Sequence, residues 1–244
     1  MQHFAIIAAP RSGSTRLCDI LGRHPSVACH LEIFHPDEVQ AHFPRDLGLE
    51  IMNCALRDAD PKAFLDKFLA HNEKWFHNRQ RHGFKVMLNR NQLLMMLGVV
   101  CPDPRLAKIM LYRENLLAGY ASVELATATG TWHRSGAEGD GTPAPKIAFD
   151  WDRFYSFAGE QIMARAAAED AMRRSHQLFL PLQYEETLTE RGMARVWDFL
   201  NLPPGRDEGI YRKTNTRPLL DCFSEPDIVI RAARSVGRPD WLEA

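Results

Sequence analysis

The stretch Phe4-Ala-Ile-Ile-Ala-Ala-Pro-Arg-Ser-Gly-Ser-Thr-Arg-Leu-Cys-Asp-Ile-Leu21 decides the fold of this chain. Its first six residues are apolar and β-branched enough for a buried parallel strand. A Pro, a Gly and three hydroxyl residues follow, and from Leu17 onward apolar residues recur at helical spacing. The stretch therefore predicts a strand, a tight loop and a helix.

The predicted loop is suited to hold a phosphate. Unpaired N–H groups in the first turn of a helix point at one spot, and the helix dipole favours an anion there. The cradle would consist of Arg11, Ser12, Gly13, Ser14 and Thr15. The alternative is an ordinary strand-to-helix turn with a capping Ser.

The loop departs from the G-x-x-x-x-G-K-[ST] pattern of nucleotide triphosphatases. Aligned on Gly13, the first Gly becomes Ala8, the Lys becomes Ser14, and only the hydroxyl at Thr15 remains. A cation stands inside the loop instead, at Arg11. The sequence predicts a phosphate site that lacks a feature expected for ATP or GTP turnover.

Pro10-Arg-Ser-Gly-Ser-Thr15 after a strand resembles the 5′-phosphosulfate loop of sulfotransferases that use 3′-phosphoadenosine-5′-phosphosulfate (PAPS). The resemblance is to the bacterial branch that includes nodulation-factor and glycolipid (trehalose-type) sulfotransferases, and it covers nearly the whole chain. It implies a P-loop-like three-layer sandwich, PAPS as co-substrate, 3′,5′-adenosine diphosphate as product and no metal.

Length and composition set the broad class. A chain of 244 residues that is 45% hydrophobic suits one domain over 1–244, and strand runs near 4–9, 83–88, 107–112 and 178–184 predict a mostly parallel sheet with helices on both faces. The formal net charge of −1 argues against a nucleic acid polymer as partner.

Five scattered cysteines, no leader pattern and no apolar run near about 18 residues favour a reduced, soluble, cytoplasmic protein without a transmembrane segment. Homo-oligomer formation is left open.

Glu32 is the candidate general base. It lies 21 residues after Arg11, at the expected C-terminal edge of the sheet, where open α/β folds bind their ligands. From the residues alone, a turn cap or an ion pair with an Arg is an alternative, and the base role is what the resemblance implies. His30 and His35 flank Glu32 as rival bases and as candidates for binding the acceptor.

Lys85 is the one charge in the apolar strand Gly83-Phe-Lys-Val-Met-Leu88. A buried Lys is costly unless it meets an anion or a carboxylate, so it is either a site residue or half of a salt bridge. The resemblance implies that it lies near the transferred sulfuryl group.

Arg113 ends a strand, and Ser122 follows nine residues later on a helix that Asn115 can cap. The resemblance implies that this pair binds the 3′-phosphate of the nucleotide; an eight-residue spacing, as in other branches, would select Ala121. It also implies that Lys213 and Arg217, in a late basic segment, contact that phosphate. An exposed basic loop is the alternative for this segment.

The stretch 129–145 is rich in Gly and Pro and too long for a simple connection, which predicts a mobile loop. Trp132 and His133 are candidates for acceptor binding there, and a solvent-exposed insertion is the alternative.

Together these patterns predict an enzyme that transfers a sulfuryl group from PAPS to a hydroxyl of a carbohydrate, glycolipid or small metabolite. Two other classes remain open at this point. One is a P-loop kinase, which should show a Walker lysine and a metal-binding Asp, and the other is a nucleotide-binding protein without sulfuryl-transfer activity.

Overall fold

A computed structural model describes residues 2–43, 51–132, 145–206 and 217–243. Its centre is a five-stranded parallel sheet in the order β2-β3-β1-β4-β5. The strands are β1 His3–Ala8, β2 Val27–Glu32, β3 Arg81–Met87, β4 Leu106–Tyr112 and β5 Phe179–Gln183. The predicted α/β class with a mostly parallel sheet flanked by helices is confirmed.

Helices cover both faces of the sheet. Because successive side chains of a strand point to opposite faces, β1 contributes Ala5 and Ile7 to one core and Phe4 and Ile6 to the other. The first core lies against α3 Pro61–Trp75 and α6 Trp151–Arg174, and the second against α1 Ser14–Arg23 and α7 Glu190–Phe199. This arrangement is the expected three-layer sandwich.

The remaining helices are α2 Cys54–Ala59, α4 Leu93–Met95, α5 Leu116–Thr129 and α8 Pro226–Ser235. A π-helical turn, Met96–Val100, continues α4. A third apolar cluster joins α5, α8 and the start of α6 around Tyr120, Phe154 and Phe223. Within the described ranges, no helix has the length and apolarity needed to cross a bilayer.

The structure extends some predicted elements and shortens others. The sequence pattern predicts a short strand at 27–29 and a helix over 152–176. In the structure the strand runs on to Glu32, and the helix spans Trp151–Arg174. Residues 133–144 and 207–216 lie outside the described ranges, so the predictions for His133, Lys213 and most of the 129–145 loop lie outside them too.

Candidate active site

The predicted phosphate loop joins β1 to α1. Gly13 stands at the N-cap of α1 with φ of 76°, and a Cβ there would lie 2.7 Å from the ring of Tyr184, so both backbone and space require glycine. The Ser12 hydroxyl is used inside the loop, since it donates to the Ala9 carbonyl at 2.6 Å. No side chain of the described residues caps α1, which leaves its first N–H groups available to an anion.

A buried cation approaches the loop from β3. Lys85 Nζ donates to Thr15 Oγ1 at 3.0 Å and lies 3.2 Å from Glu32 Oε1. The side chain of Lys85 is 3% exposed and that of Glu32 15%. Lys85 therefore brings a positive charge to a loop whose sequence has Ser14 where the triphosphatase pattern has its lysine.

A shift in strand register places Glu32 beside Lys85. Cys29 pairs with Gly83 of β3, but Lys85 pairs with Glu32, one residue further along β2 than regular pairing would give. Neighbouring residues paired across a parallel sheet point to the same face. Without the extra residue, Leu31 would stand opposite Lys85.

Gln92 completes this group, and no motif in the sequence singles it out. Its Nε2 donates to Glu32 Oε2 at 2.7 Å, and its Oε1 accepts the Met87 N–H at 3.0 Å. The residue is fully buried. With Lys85 at one oxygen and Gln92 at the other, the Glu32 carboxylate is held in one orientation.

Arg57 fixes the chain immediately after Glu32 and was also missed. Its guanidinium is buried and donates to backbone carbonyls of the turn that follows β2, those of Ile33, His35, Pro36 and Glu38. A buried Arg is rare unless its donors are satisfied. Here the turn carbonyls accept from the terminal nitrogens, and Asp58 Oδ1 accepts from Nε at 2.7 Å. In the sequence, Arg57 is one of two arginines in the weakly patterned segment 37–60, and nothing there distinguishes it.

Arg11 of the predicted 5′-phosphate loop lies next to Ser122, a residue predicted to bind the 3′-phosphate. Arg11 Nε donates to Ser122 Oγ at 2.9 Å, and Arg11 Nη1 donates to the Trp132 carbonyl. Burial and then the positive charge of Arg113 lower the pKa of Arg11, so the two guanidinium groups are close enough to repel each other. An anion placed between them would relieve that repulsion.

The guanidinium group of Arg113 lies against the aromatic ring of Tyr184. The centre of its guanidinium is 4.8 Å from the centroid of the Tyr184 ring, and its Nε is 3.5 Å from Glu185 Oε1. The two side chains form an ion pair, but the buried Nε has no hydrogen-bond partner. Tyr184 thus lies against both Gly13 and Arg113, although the sequence pattern around it indicates only a structural role.

His30 lies in an aromatic cluster with Phe43 and Phe68, and its Nε2 is 2.6 Å from Asn72 Oδ1. Its Nδ1 accepts the His42 N–H at 2.9 Å, so the ring is neutral with its proton on Nε2. Burial lowers the pKa of His30 to about 4. Both ring nitrogens are occupied, and the structure does not bring them to the Lys85 group.

The His30 environment should make the protein less stable in acid. An unfolded histidine binds its proton near pH 6.5, whereas folded His30 does so only near pH 4. This contribution to the free energy of unfolding is complete above about pH 6.5 and is lost as the pH falls through 4, about 3 kcal/mol in total. Denaturant unfolding at about pH 7 and about pH 5 should show the gap between wild type and His30→Gln shrinking in acid. A gap that does not change with pH would contradict this account.

The remaining described site candidates are two predicted acceptor residues, His35 and Trp132, and one predicted phosphate contact, Arg217. His35 is half-buried in the turn after Glu32, where its Nδ1 accepts the Asp37 N–H at 3.3 Å. Trp132 is 48% exposed beside Arg11. Arg217 donates to the Pro145 carbonyl at 3.2 Å. Among the residues that the structure describes, there is no group of three or more His, Cys, Asp or Glu side chains that could hold a metal ion.

The fold and this site define an α/β protein with an uncapped strand-to-helix loop at the C-terminal edge of a parallel sheet. No protein-family model matches the chain. The chain is similar to Nodulation protein H of Rhizobium meliloti (strain 1021), with 28% identity over 228 residues that cover 89% of this chain and 85% of the relative. This similarity confirms the resemblance to the nodulation branch that the sequence motifs indicate.

Proposed function

We propose that this chain transfers a sulfuryl group from PAPS to a hydroxyl of a carbohydrate, glycolipid or small-metabolite acceptor. The observation that carries the proposal is the meeting of three features at one sheet edge. These are the uncapped start of α1, the Lys85–Glu32 pair and the adjacent guanidinium groups of Arg11 and Arg113.

The donor nucleotide fits the charges that the chain presents. Arg11 and the first N–H groups of α1, at Gly13 to Thr15, would hold the 5′-phosphate. Arg113, whose buried Nε has no hydrogen-bond partner, would hold the 3′-phosphate together with Ser122. Lys213 and Arg217 remain proposed as further contacts to this phosphate.

PAPS would supply the activated sulfuryl group, and the protein would supply positioning and charge. Glu32 would accept the proton of the acceptor hydroxyl as its oxygen bonds to sulfur. Charge on the sulfuryl group and on the departing 5′-phosphate would be stabilised by Arg11, by the loop N–H groups and by Lys85, which lies next to Thr15. One well-placed donor of this kind contributes about 3 kcal/mol. Trp132, His133 and His35 are proposed to contact the acceptor.

The test is incubation of the protein with PAPS and extracts rich in hydroxyl compounds, followed by mass spectrometry. The expected products are 3′,5′-adenosine diphosphate and an acceptor heavier by one sulfuryl group. ATP in place of PAPS provides the comparison. Transfer of a phosphoryl group from ATP would favour a kinase, and nucleotide binding without any transfer would favour a binding protein.

The 3′-phosphate assignment predicts a change in nucleotide selectivity. Arg113→Ala should lose about 1.5 to 3 kcal/mol of its preference for 3′,5′-adenosine diphosphate over adenosine 5′-monophosphate, on the order of ten- to a hundredfold in Kd. Calorimetric titration with both nucleotides measures it.

Arg105→Ala is the matched control for this prediction. Arg105 precedes β4 where Arg113 follows it, and it pairs with Asp103 and Asp66 on the surface. Its selectivity should equal that of wild type. Equal selectivity in Arg113→Ala as well would remove Arg113 from the 3′-phosphate site.

A further inference from the structure

Helix α6 presents an apolar face to solvent. Tyr155, Ile162 and Met163 are 49%, 60% and 73% exposed, whereas Phe154 and Ala168 of the same helix are buried on its other side. A single exposed apolar residue needs no explanation. Several large apolar side chains on one helix face form a patch, and such patches mark interaction sites.

Two small residues lie on the same face. Gly159 follows Tyr155 by four residues, and Ala166 follows Ile162 by four, which is the spacing of neighbours along one side of a helix. A Cβ at Gly159 would meet no atom within 4 Å, so the space in front of it is open. Because small residues at a contact let two helix axes come close, this face suits a second helix packed along α6.

The two ends of the face carry opposite charges. Asp152 is exposed in the first turn of α6, and Arg173 is exposed in the last turn. Arg173 pairs with Glu169 at 3.0 Å, but this is a surface ion pair that leaves most of the guanidinium in solvent. Its charge can therefore be shared with a second carboxylate.

An antiparallel copy of α6 matches this face along its whole length. If a two-fold axis passes between Ile162 and Met163, each residue faces the one that lies equally far from that point in the other copy. The facing pairs are Asp152 with Arg173, Tyr155 with Asp170, Gly159 with Ala166, and Ile162 with Met163. Opposite charges meet at both ends, small residues meet between them, and large apolar residues meet at the centre. A parallel copy would instead place Asp152 opposite Asp152.

The face extends beyond the neighbouring cavity. Tyr155 and Ile162 border a cavity of about 530 Å³ that Arg113 also lines, but Met163 and Ala166 lie outside its lining. A ligand in that cavity would cover only part of the face. A second copy of α6 would cover all of it.

We propose that α6 forms the interface of a homodimer, in which two copies of the helix pack antiparallel about a two-fold axis between Ile162 and Met163. One helix pair buries less surface than a standard protein interface, so we expect a Kd in the micromolar range. The proposal does not depend on sulfuryl transfer, since it concerns association alone.

Sedimentation equilibrium of the full-length protein tests the centre of the interface. Wild type should change from a monomer of 27.8 kDa to a species of twice that mass as its concentration rises through the micromolar range. Met163→Glu should weaken association by about a hundredfold or more, because it would bury an unpaired carboxylate. Leu178→Glu is the matched control. Leu178 is 74% exposed and lies outside α6, so this variant should associate as wild type does.

Exchange of the end charges tests the antiparallel arrangement. Asp152→Arg should weaken association by about tenfold, because it sets like charges opposite each other at both ends, and Arg173→Asp should do the same. The double variant restores opposite charges and should recover the wild-type Kd to within about threefold. Circular dichroism checks that each variant is folded.

The results decide the proposal in both directions. A dimer that Met163→Glu weakens and that the charge exchange restores supports the interface. A protein that stays monomeric throughout the concentration range overturns it, and so does a dimer that folded Met163→Glu leaves unchanged. Failure of the double variant to recover association overturns the antiparallel arrangement. Sulfuryl transfer can fail while the interface stands, because none of these measurements contains PAPS.

Discussion

Replacing Glu32 with Gln should lower the turnover number by about 10² to 10⁴ while affinity for 3′,5′-adenosine diphosphate stays nearly constant. Gln keeps the shape of the side chain but cannot accept a proton. Glu32 lies 3.2 Å from Lys85, which in turn donates to Thr15 of the phosphate loop, so the carboxylate is next to the expected position of the transferred group. Single-turnover kinetics with PAPS and calorimetry with the product nucleotide measure the two quantities.

Glu185→Gln is the control for removal of a negative charge near the site. Glu185 pairs with Arg113 at 3.5 Å and has no expected role in proton transfer, so this variant should keep most of the turnover.

Histidine variants test the rival base. If Glu32→Gln keeps its turnover with chemistry rate-limiting, while His35→Ala or His30→Ala abolishes it at unchanged nucleotide affinity, the base is a histidine and the assignment to Glu32 is wrong.

Replacing Lys85 with Met should lower turnover by about 10² to 10³, the usual loss when one donor to developing negative charge is removed. The variant should also be less stable by about 3 kcal/mol, because Glu32 is left with no cation in a largely buried place. Turnover is measured under conditions where the variant remains folded, as checked by circular dichroism and denaturant titration.

Lys108→Met separates catalysis from stability. Lys108 is fully buried in β4, where it donates to Gln177 Oε1 at 2.9 Å and to the Asp103 carbonyl, and burial lowers its pKa to about 8. It pairs with Ala5 and so faces the opposite side of the sheet from Lys85, which pairs with Ile6. The control variant should keep its turnover. Equal losses of turnover in both variants would show that Lys85 acts only through stability.

Much of the fold could be predicted because its signals are local. The apolar run of β1, the turn residues after it and the helical spacing of α1 are contiguous in the sequence, and each rests on a backbone or burial rule that holds at short range. Lys85 could be selected for a related reason, since a charge in a buried strand needs a partner wherever the strand lies. The structure provides that partner in Glu32.

The rest of the site depends on contacts between distant segments. Gln92 reads as one polar residue in a short apolar helix, and only the folded chain shows that it bonds Glu32, 60 residues earlier. Tyr184 reads as framework until its ring is found over both Gly13 and Arg113. Such pairings are set by the order of strands in the sheet, which no single stretch of sequence encodes.

The register shift in β2 has a consequence for how this strand tolerates change. Strand side chains alternate between the two faces of the sheet, so the number of residues between Cys29 and Glu32 decides which face Glu32 points to. A substitution between these two residues alters one side chain, but insertion or deletion of one residue moves the following side chains of β2 to the opposite face of the sheet. The number of residues in this part of β2 therefore matters independently of which residues they are. Related sequences should be aligned here by the face of the sheet that each side chain occupies, and not by position number.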